Sequence, residues 1–233
     1  MATVIGWDTA TDDLAVAATR DGTPIEERLL AAGPGERPPH ASVLLVEVES
    51  VVDRVGGWHR VDVIGVGIGP GSFTGLRIGL ATARALAQAL AKPVVGVGTL
   101  AALSRALCER ALAEGRVALS ALDARRGQAF AALYDPDGTE VWPPLVATPD
   151  DLAARVGSLA RPPLAAGSGA IRFRPELEAA GAEVLPESDS AHRVSGRHLC
   201  QLAEAGTASP PDSITPIYLR PPDAELWLER DSG

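Results

Sequence analysis

Residues 61–91 read VDVIGVGIGPGSFTGLRIGLATARALAQALA, and this stretch decides the fold. Its opening is rich in β-branched residues, with Val63, Ile64, Val66 and Ile68 apolar, the pattern of a strand covered on both faces of a sheet. Gly69-Pro70-Gly71-Ser72 then makes a sharp turn, because proline cannot continue a central strand and glycine tolerates positive φ or a close backbone approach. Ser72 or Thr74 can cap the helix that follows, which runs to about residue 91. The unit is strand, tight glycine turn, helix.

Such a turn offers backbone amides at a helix N-terminus, a physical site for an anion. The known phosphate motifs do not fit it. A phosphate loop needs Lys-Ser or Lys-Thr after its second glycine, where Leu76 and Arg77 stand, and a dinucleotide fingerprint finds Ser72 in place of its third glycine. A nucleophile elbow needs glycine where Pro70 precedes Ser72. The plainer reading is a turn that seats the helix against its sheet. Along that helix Gly75, Gly79, Ala83, Ala87 and Ala91 fall four apart, a shallow groove into which another helix can sink. Interior glycines each cost about 1 kcal/mol of helix stability, which close packing would offset. Leu76, Ile78, Leu80, Leu86 and Leu90 supply apolar area beside the groove, and Arg77, Arg84 and Gln88 make the wet stripe. The occupant is either a helix of the same chain or one from a partner.

The run Gly69-Pro70-Gly71-Ser72-Phe73-Thr74-Gly75-Leu76-Arg77-Ile78-Gly79 resembles the signature of the bacterial TsaB (YeaZ) family. The resemblance extends over nearly the whole chain, through Ile5-Gly6-Trp7-Asp8-Thr9, His40, Asp123-Ala124-Arg125-Arg126 and Tyr218-Leu219-Arg220. It implies an α/β, two-lobed actin-like (ASKHA, ribonuclease-H-like) fold with duplicated halves. It also implies a non-catalytic partner protein that binds the threonylcarbamoyltransferase TsaD and, with the ATPase TsaE, supports threonylcarbamoyladenosine modification of tRNA next to the anticodon. In the family the two long helices bundle with counterparts in another subunit, either TsaD or a second copy, so a homodimer is expected when the chain is alone. The partner interface is accordingly expected at His40, Leu44, Val48 and Val51 of the first helix and at Gly75, Leu76, Gly79, Leu80, Ala83 and Ala87 of the second.

At 233 residues the chain is long enough to bury a real core. A net charge of −9 and a sequence pI near 4.9 oppose holding RNA, so tRNA contact is expected to be at most indirect. Cys108 and Cys200 lie far apart without metal or redox spacing and read as reduced thiols of a cytoplasmic protein. No export signal or apolar run of membrane length is visible.

Taken in order, residues 4–8 read as a strand ending in Asp8-Thr9, 14–19 as a second, Asp21-Gly22 as a hairpin turn and 25–30 as a third strand. In actin-like ATPases an acid at this place, followed by a glycine-threonine loop, handles metal and phosphate. No glycine follows Asp8, and Asp8 and Thr9 can simply cap the turn. The pattern recurs around Asp123, with strands at 117–122 and 129–134 and Asp137-Gly138-Thr139 answering Asp21-Gly22-Thr23, which indicates an internal duplication. There too the phosphate loop is missing, since Ala124 and Arg125 follow the acid. Asp8, Thr9, Asp123, Arg125, Gly167 and Gly169 are therefore read as a vestigial cleft.

A glycine and proline loop over 31–39 leads to a helix over 40–55, whose face Leu44, Val48, Val51, Val55 is widened by Val43, Leu45, Val46 and Val52 beyond what one contact needs. A buried strand is expected over 93–97, a helix over 99–114 links the halves, and further elements are expected at 150–156, 164–166, 176–180, 183–185 and 196–205. The lobes are drawn at 1–100 and 101–209, with the 210–233 tail returning to the first and ending frayed. No metal or cofactor is expected: His40 has Leu44 where a helical ligand pair needs a second histidine, and His59, His192 and His198 lack carboxylates at ligand spacing. The alternative is an enzyme in its own right, a glycoprotease-like peptidase or residual ATPase, although a serine peptidase would want Ser72 near His40 and an acid.

Overall fold

The computed structural model describes residues 2–33 and 40–220; most of the loop expected over 31–39 and the tail past 220 lie outside them. The order is β1 (Thr3–Asp8), β2 (Leu14–Arg20), β3 (Thr23–Leu30), α1 (His40–Val55), β4 (Val63–Gly69), α2 (Phe73–Leu90), β5 (Val94–Gly98) and α3 (Thr99–Glu114). There follow β6 (Ala118–Asp123), β7 (Ala129–Tyr134), β8 (Glu140–Ala147), α4 (Pro149–Gly157), β9 (Leu164–Ala166), α5 (Ser168–Arg172), α6 (Arg174–Ala179), β10 (Glu183–Val184) and α7 (Gly196–Ala205).

The strands form two 5-stranded sheets, ordered β3-β2-β1-β4-β5 and β10-β9-β6-β7-β8. Read from the meander edge the two are the same: three antiparallel strands joined by turns, then two strands parallel to the first. This repeated topology is the duplicated, two-lobed ribonuclease-H-like architecture of actin-like proteins. Asp21 and Gly22 both take positive φ, 48° and 70°, as the tight turn between β2 and β3 requires.

Alternation along the strands of the first sheet separates two faces. Ile5, Trp7, Val16, Ile64 and Val66 pack with Leu44, Val48, Val51, Leu80 and Ala83 of α1 and α2. Val4, Ala17, Val95 and Val97 face the other way, into a cluster shared with α3, α7 and the inner face of the second sheet. The outer face of the second sheet is closed by α4, α5 and α6 through Leu152, Val156, Ala170, Phe173 and Leu177. The molecule is thus layered, with α3 and α7 between the sheets.

The boundary drawn from the sequence at 209 assigns α7 to the second lobe, but its packing is on the first sheet. Leu199 and Ala203 press on Gly6 and Gly65, where an added Cβ would lie 2.5 Å from Leu199 Cδ2 and 2.8 Å from Ala203 Cβ. Proximity along the chain says nothing about such a crossing. Strand β8, with Pro143 and Pro144, was not legible in advance, because prolines argue against a strand unless it lies at a sheet edge, and β8 is an edge. Residues 168–179, where a bare turn and one helix were expected, hold the two short helices α5 and α6.

Candidate functional site

The turn between β4 and α2 is seated on the exit of β1. The Ser72 amide donates to Ala10 O at 2.7 Å, the Gly69 amide to Thr99 Oγ1 at 3.1 Å, and Ser72 Oγ caps α2 by accepting from the Gly75 amide at 3.3 Å. A Cβ on Gly71 would stand 2.2 Å from Ala10 O. Glycine is needed here for close approach, and several donors that an anion would want already serve the chain itself.

Asp8, at the tip of β1, is 1 % exposed. Its Oδ1 accepts the Ala10 amide at 2.7 Å and its Oδ2 accepts the Thr99 hydroxyl at 2.7 Å, while Gly67, having no side chain, leaves room for the carboxyl. Burial holds this carboxyl above its ordinary range, against the opposing pull of those two hydrogen bonds and of the nearby His40. Thr9 points away from the inter-sheet region and donates its hydroxyl to Gly75 O at 2.7 Å. Neither residue lines the cleft between the sheets. Both are internal fasteners.

That cleft measures about 480 Å³ and is walled by Thr11 and Asp12 after β1, Ser72 to Thr74 at the start of α2, Asp123 to Arg125 after β6, Ser168, and residues 217–220. Asp123 is reached by the guanidinium of Arg172 at 2.7 Å and accepts the Arg125 amide at 2.8 Å; its own amide donates to Ser168 Oγ at 3.0 Å. Arg125 reaches over to Asp12, its Nη2 lying 2.7 and 3.0 Å from the two carboxylate oxygens. Gly167 and Gly169 lie against the end of β6, where added Cβ atoms would come within 2.0 Å of Ala121 O and 2.7 Å of Leu122 C. His192 fixes this loop, accepting the Gly167 amide at Nδ1 (3.0 Å) and donating from Nε2 to Leu185 O (3.0 Å). Only Ser168 of that turn faces the cleft. The structure therefore brings Asp123 and Arg125 to the cleft wall and leaves Asp8, Thr9, Gly167 and Gly169 behind it. Thr99, Arg172 and His192, which determine how the acids and the loop are held, carried no sequence signal because their partners lie tens of residues away.

The second candidate surface is the pair α1 and α2, and the residues expected at the partner interface are buried within the chain. His40, Leu44, Val48, Val51, Leu76, Leu80, Ala83 and Ala87 are at most 4 % exposed, and Gly75 and Gly79 are buried with them. The glycine-alanine row faces the first sheet. An added Cβ would stand 1.9 Å from Thr9 O at Gly75 and 2.3 Å from Thr9 Oγ1 at Gly79, and Trp7 Nε1 donates to Gly79 O at 3.1 Å. At Gly75 and Gly79 the groove is filled by Trp7 and Thr9 of the same chain. His40 likewise turns inward, its Nε2 donating to Thr11 O at 2.9 Å, while Ser72 Oγ is engaged by the Gly75 amide. What the helix pair presents outward is a different set: Leu45 and Val46 of α1, 52 % and 64 % exposed, with Ala81, Ala85 and Ala89 of α2. The excess apolar character read in the α1 sequence is real, and Leu45 and Val46 carry it.

Among the described residues no helix is long and apolar enough to cross a membrane, and no cluster of three or more His, Cys, Asp or Glu could hold a metal ion.

Residues 37–168 match the family described as TsaD, tRNA N6-adenosine threonylcarbamoyltransferase. The tRNA threonylcarbamoyladenosine biosynthesis protein TsaB of Escherichia coli is 29 % identical over 225 residues, covering 93 % of this chain and 94 % of that protein. The TsaB of Bacillus subtilis is 27 % identical over 237 residues, covering 97 % and 98 %. Among solved structures, YeaZ from Pseudomonas aeruginosa superposes with a TM-score of 0.73 at 28 % identity, covering 94 % of this chain and 100 % of that one. Together with the Gly69–Gly79 turn and the duplicated sheets, these likenesses show that the chain belongs to the TsaB (YeaZ) family.

Proposed function

We propose that the chain serves tRNA threonylcarbamoyladenosine biosynthesis as a non-catalytic subunit. Its partner is a TsaD-type threonylcarbamoyltransferase bound on the outward face of α1 and α2, with a TsaE-type ATPase joining the larger complex. In the absence of that partner a second copy occupies the same face. The role in this biosynthesis rests on the likeness to TsaB over nearly the full chain. The observation that carries the non-catalytic reading is the state of the acid at the tip of β1: Asp8 is 1 % exposed, held by the Thr99 hydroxyl and the Ala10 amide, and does not line the cleft. Charge supports the division of labour, since a chain of net −9 leaves tRNA contact to its partners. Leu45 and Val46 support the assignment of the docking face, because large apolar side chains exposed on a helix gain free energy when a partner covers them.

The test is reconstitution of tRNA modification from purified TsaD-type and TsaE-type proteins of the same organism, with and without this chain. Modification should require the chain and survive Asp8→Asn, which keeps the shape and neutralises the charge. If Asp8→Asn abolishes modification while folding and association persist, the cleft is functional. If the chain alone turns over ATP or cleaves peptides, the enzyme reading replaces this one.

A further inference from the structure

Three of the stretches that mark this family in the sequence, at Gly69–Gly79, at Asp123–Arg126 and at Tyr218–Arg220, meet around one cleft, and the scaffold role does not explain why. The chain after α7 is the thread that joins them. The Ser209 amide donates to Val94 O at 2.9 Å, Arg84 donates to Ile214 O, and the Ile217 amide donates to Ile68 O at 2.7 Å, so this segment is laid along β5, α2 and the end of β4. Tyr218 then stacks on Phe73 with ring centroids 5.1 Å apart, and the Arg77 guanidinium lies 3.8 Å from the centre of the Phe73 ring. Beyond Tyr218 the chain leaves the first sheet. Arg220 donates to Ala124 O at 3.0 Å and to Gln128 Oε1 at 3.2 Å, on the turn between β6 and β7.

That turn receives a second crossing, the Arg125–Asp12 pair. It is also an unusual piece of backbone. Arg125, Arg126 and Gly127 stand in succession at φ 61°, 52° and 73°, a left-handed run that non-glycine residues hold only where their surroundings enforce it. The local bonds from the Ala124 amide to Gln128 O and from the Gln128 amide to Arg125 O are short-range. Two longer restraints, from Arg220 and from Asp12, come from the first sheet's side of the cleft.

We propose that residues 217–220 and the Asp12–Arg125 pair form a clasp across the cleft, which anchors the β6–β7 turn to the first sheet and holds the two sheets in one arrangement. The cleft is then a fixed joint, and the Tyr218–Phe73–Arg77 stack is the anchor from which Arg220 reaches. This holds whether or not the chain is catalytic.

Amide hydrogen exchange on the full chain tests it. The Ala124 and Gln128 amides report the turn, Ile217 and Ser72 report the first-sheet side, and Ala131 in the β7 ladder is the internal reference. In the double variant Asp12→Asn, Arg220→Ala the turn amides should exchange about tenfold faster, with Ala131 unchanged. Tyr218→Ala, which removes the anchor without touching the turn, should also speed the turn amides, and high salt should act in the same direction because the Asp12–Arg125 pair is solvent-exposed. Turn amides that stay within about twofold of wild type in the double variant, or a Tyr218→Ala variant that speeds only Ile217, would overturn the clasp.

Discussion

Asp8 is tied down through both of its carboxylate oxygens at the tip of β1. The sequence puts an acid at the end of the first strand, where an actin-like ATPase uses it, and the structure turns that acid into a fastener between β1 and the start of α3. Asp8→Ala would orphan the buried Ala10 amide and the Thr99 hydroxyl, at about 1–3 kcal/mol for each group left unsatisfied. A denaturant melt should show that loss, whereas Asp8→Asn should fall well short of it. Gly75 is as tightly constrained. Gly75→Ala would drive a methyl group into the Thr9 carbonyl, 1.9 Å from the ideal Cβ position, and should lower stability by about 1–3 kcal/mol in the same melt. That a glycine is needed at Gly75 was legible from the motif; that β1 is what approaches it was not.

At the scale of elements, α1 and α2 were readable in their bounds and in their apolar excess, but not in which side meets what. A row of small residues every fourth position says that something comes close. It does not say whether that is a partner helix or the chain's own strand. Because Ala83 is buried in the cluster between the helix pair and the first sheet, Ala83→Leu overfills that core and should cost about 1–3 kcal/mol of folding stability, with any loss of association secondary to it. The variants that separate association from folding are Leu45→Glu and Val46→Glu. Both side chains are more than half exposed, so folding stability should change by no more than about 0.5 kcal/mol while self-association or binding to a TsaD-type partner weakens at least about tenfold. Solution mass measured over a concentration series, alongside melts of the same samples, reads both quantities. Unchanged association would remove the outward face of α1 from the interface.

For the whole molecule, the joint between the layers has a pH signature. His198 of α7 is 2 % exposed, its Nε2 is 3.5 Å from Glu109 Oε1 of α3, and burial, with Arg197 adding to it, lowers its pKa below the ordinary value despite that carboxylate. The unfolded chain therefore binds a proton here more readily than the folded one. Stability is undiminished above about pH 6.5 and falls as pH drops from there toward the depressed folded value. Asp8 has the opposite sign: its raised folded value makes stability fall as pH rises from the ordinary carboxylate range through that value. A pH series of melts should show the acid-side loss for wild type and a flatter curve between pH 5 and pH 7 for His198→Gln. An equally steep curve in His198→Gln would assign the slope to other groups.

The sequence by itself determined the strand, turn and helix at its centre, the meanders and their tight turns, the recurrence of one pattern around Asp8 and Asp123, and the family these motifs mark. Those are matters of local periodicity, turn chemistry and spacing, which a linear chain records directly. Only the tertiary structure decided that the glycine-alanine row of α2 receives β1, that α7 crosses onto the first sheet, that Asp8 is sealed by Thr99, and that Arg220 reaches the turn after Asp123. Each of these pairs residues far apart in the chain, and their meeting depends on how whole faces stack. An apolar or small-residue face announces that it will be covered, and the competition among all such faces for partners decides what covers it.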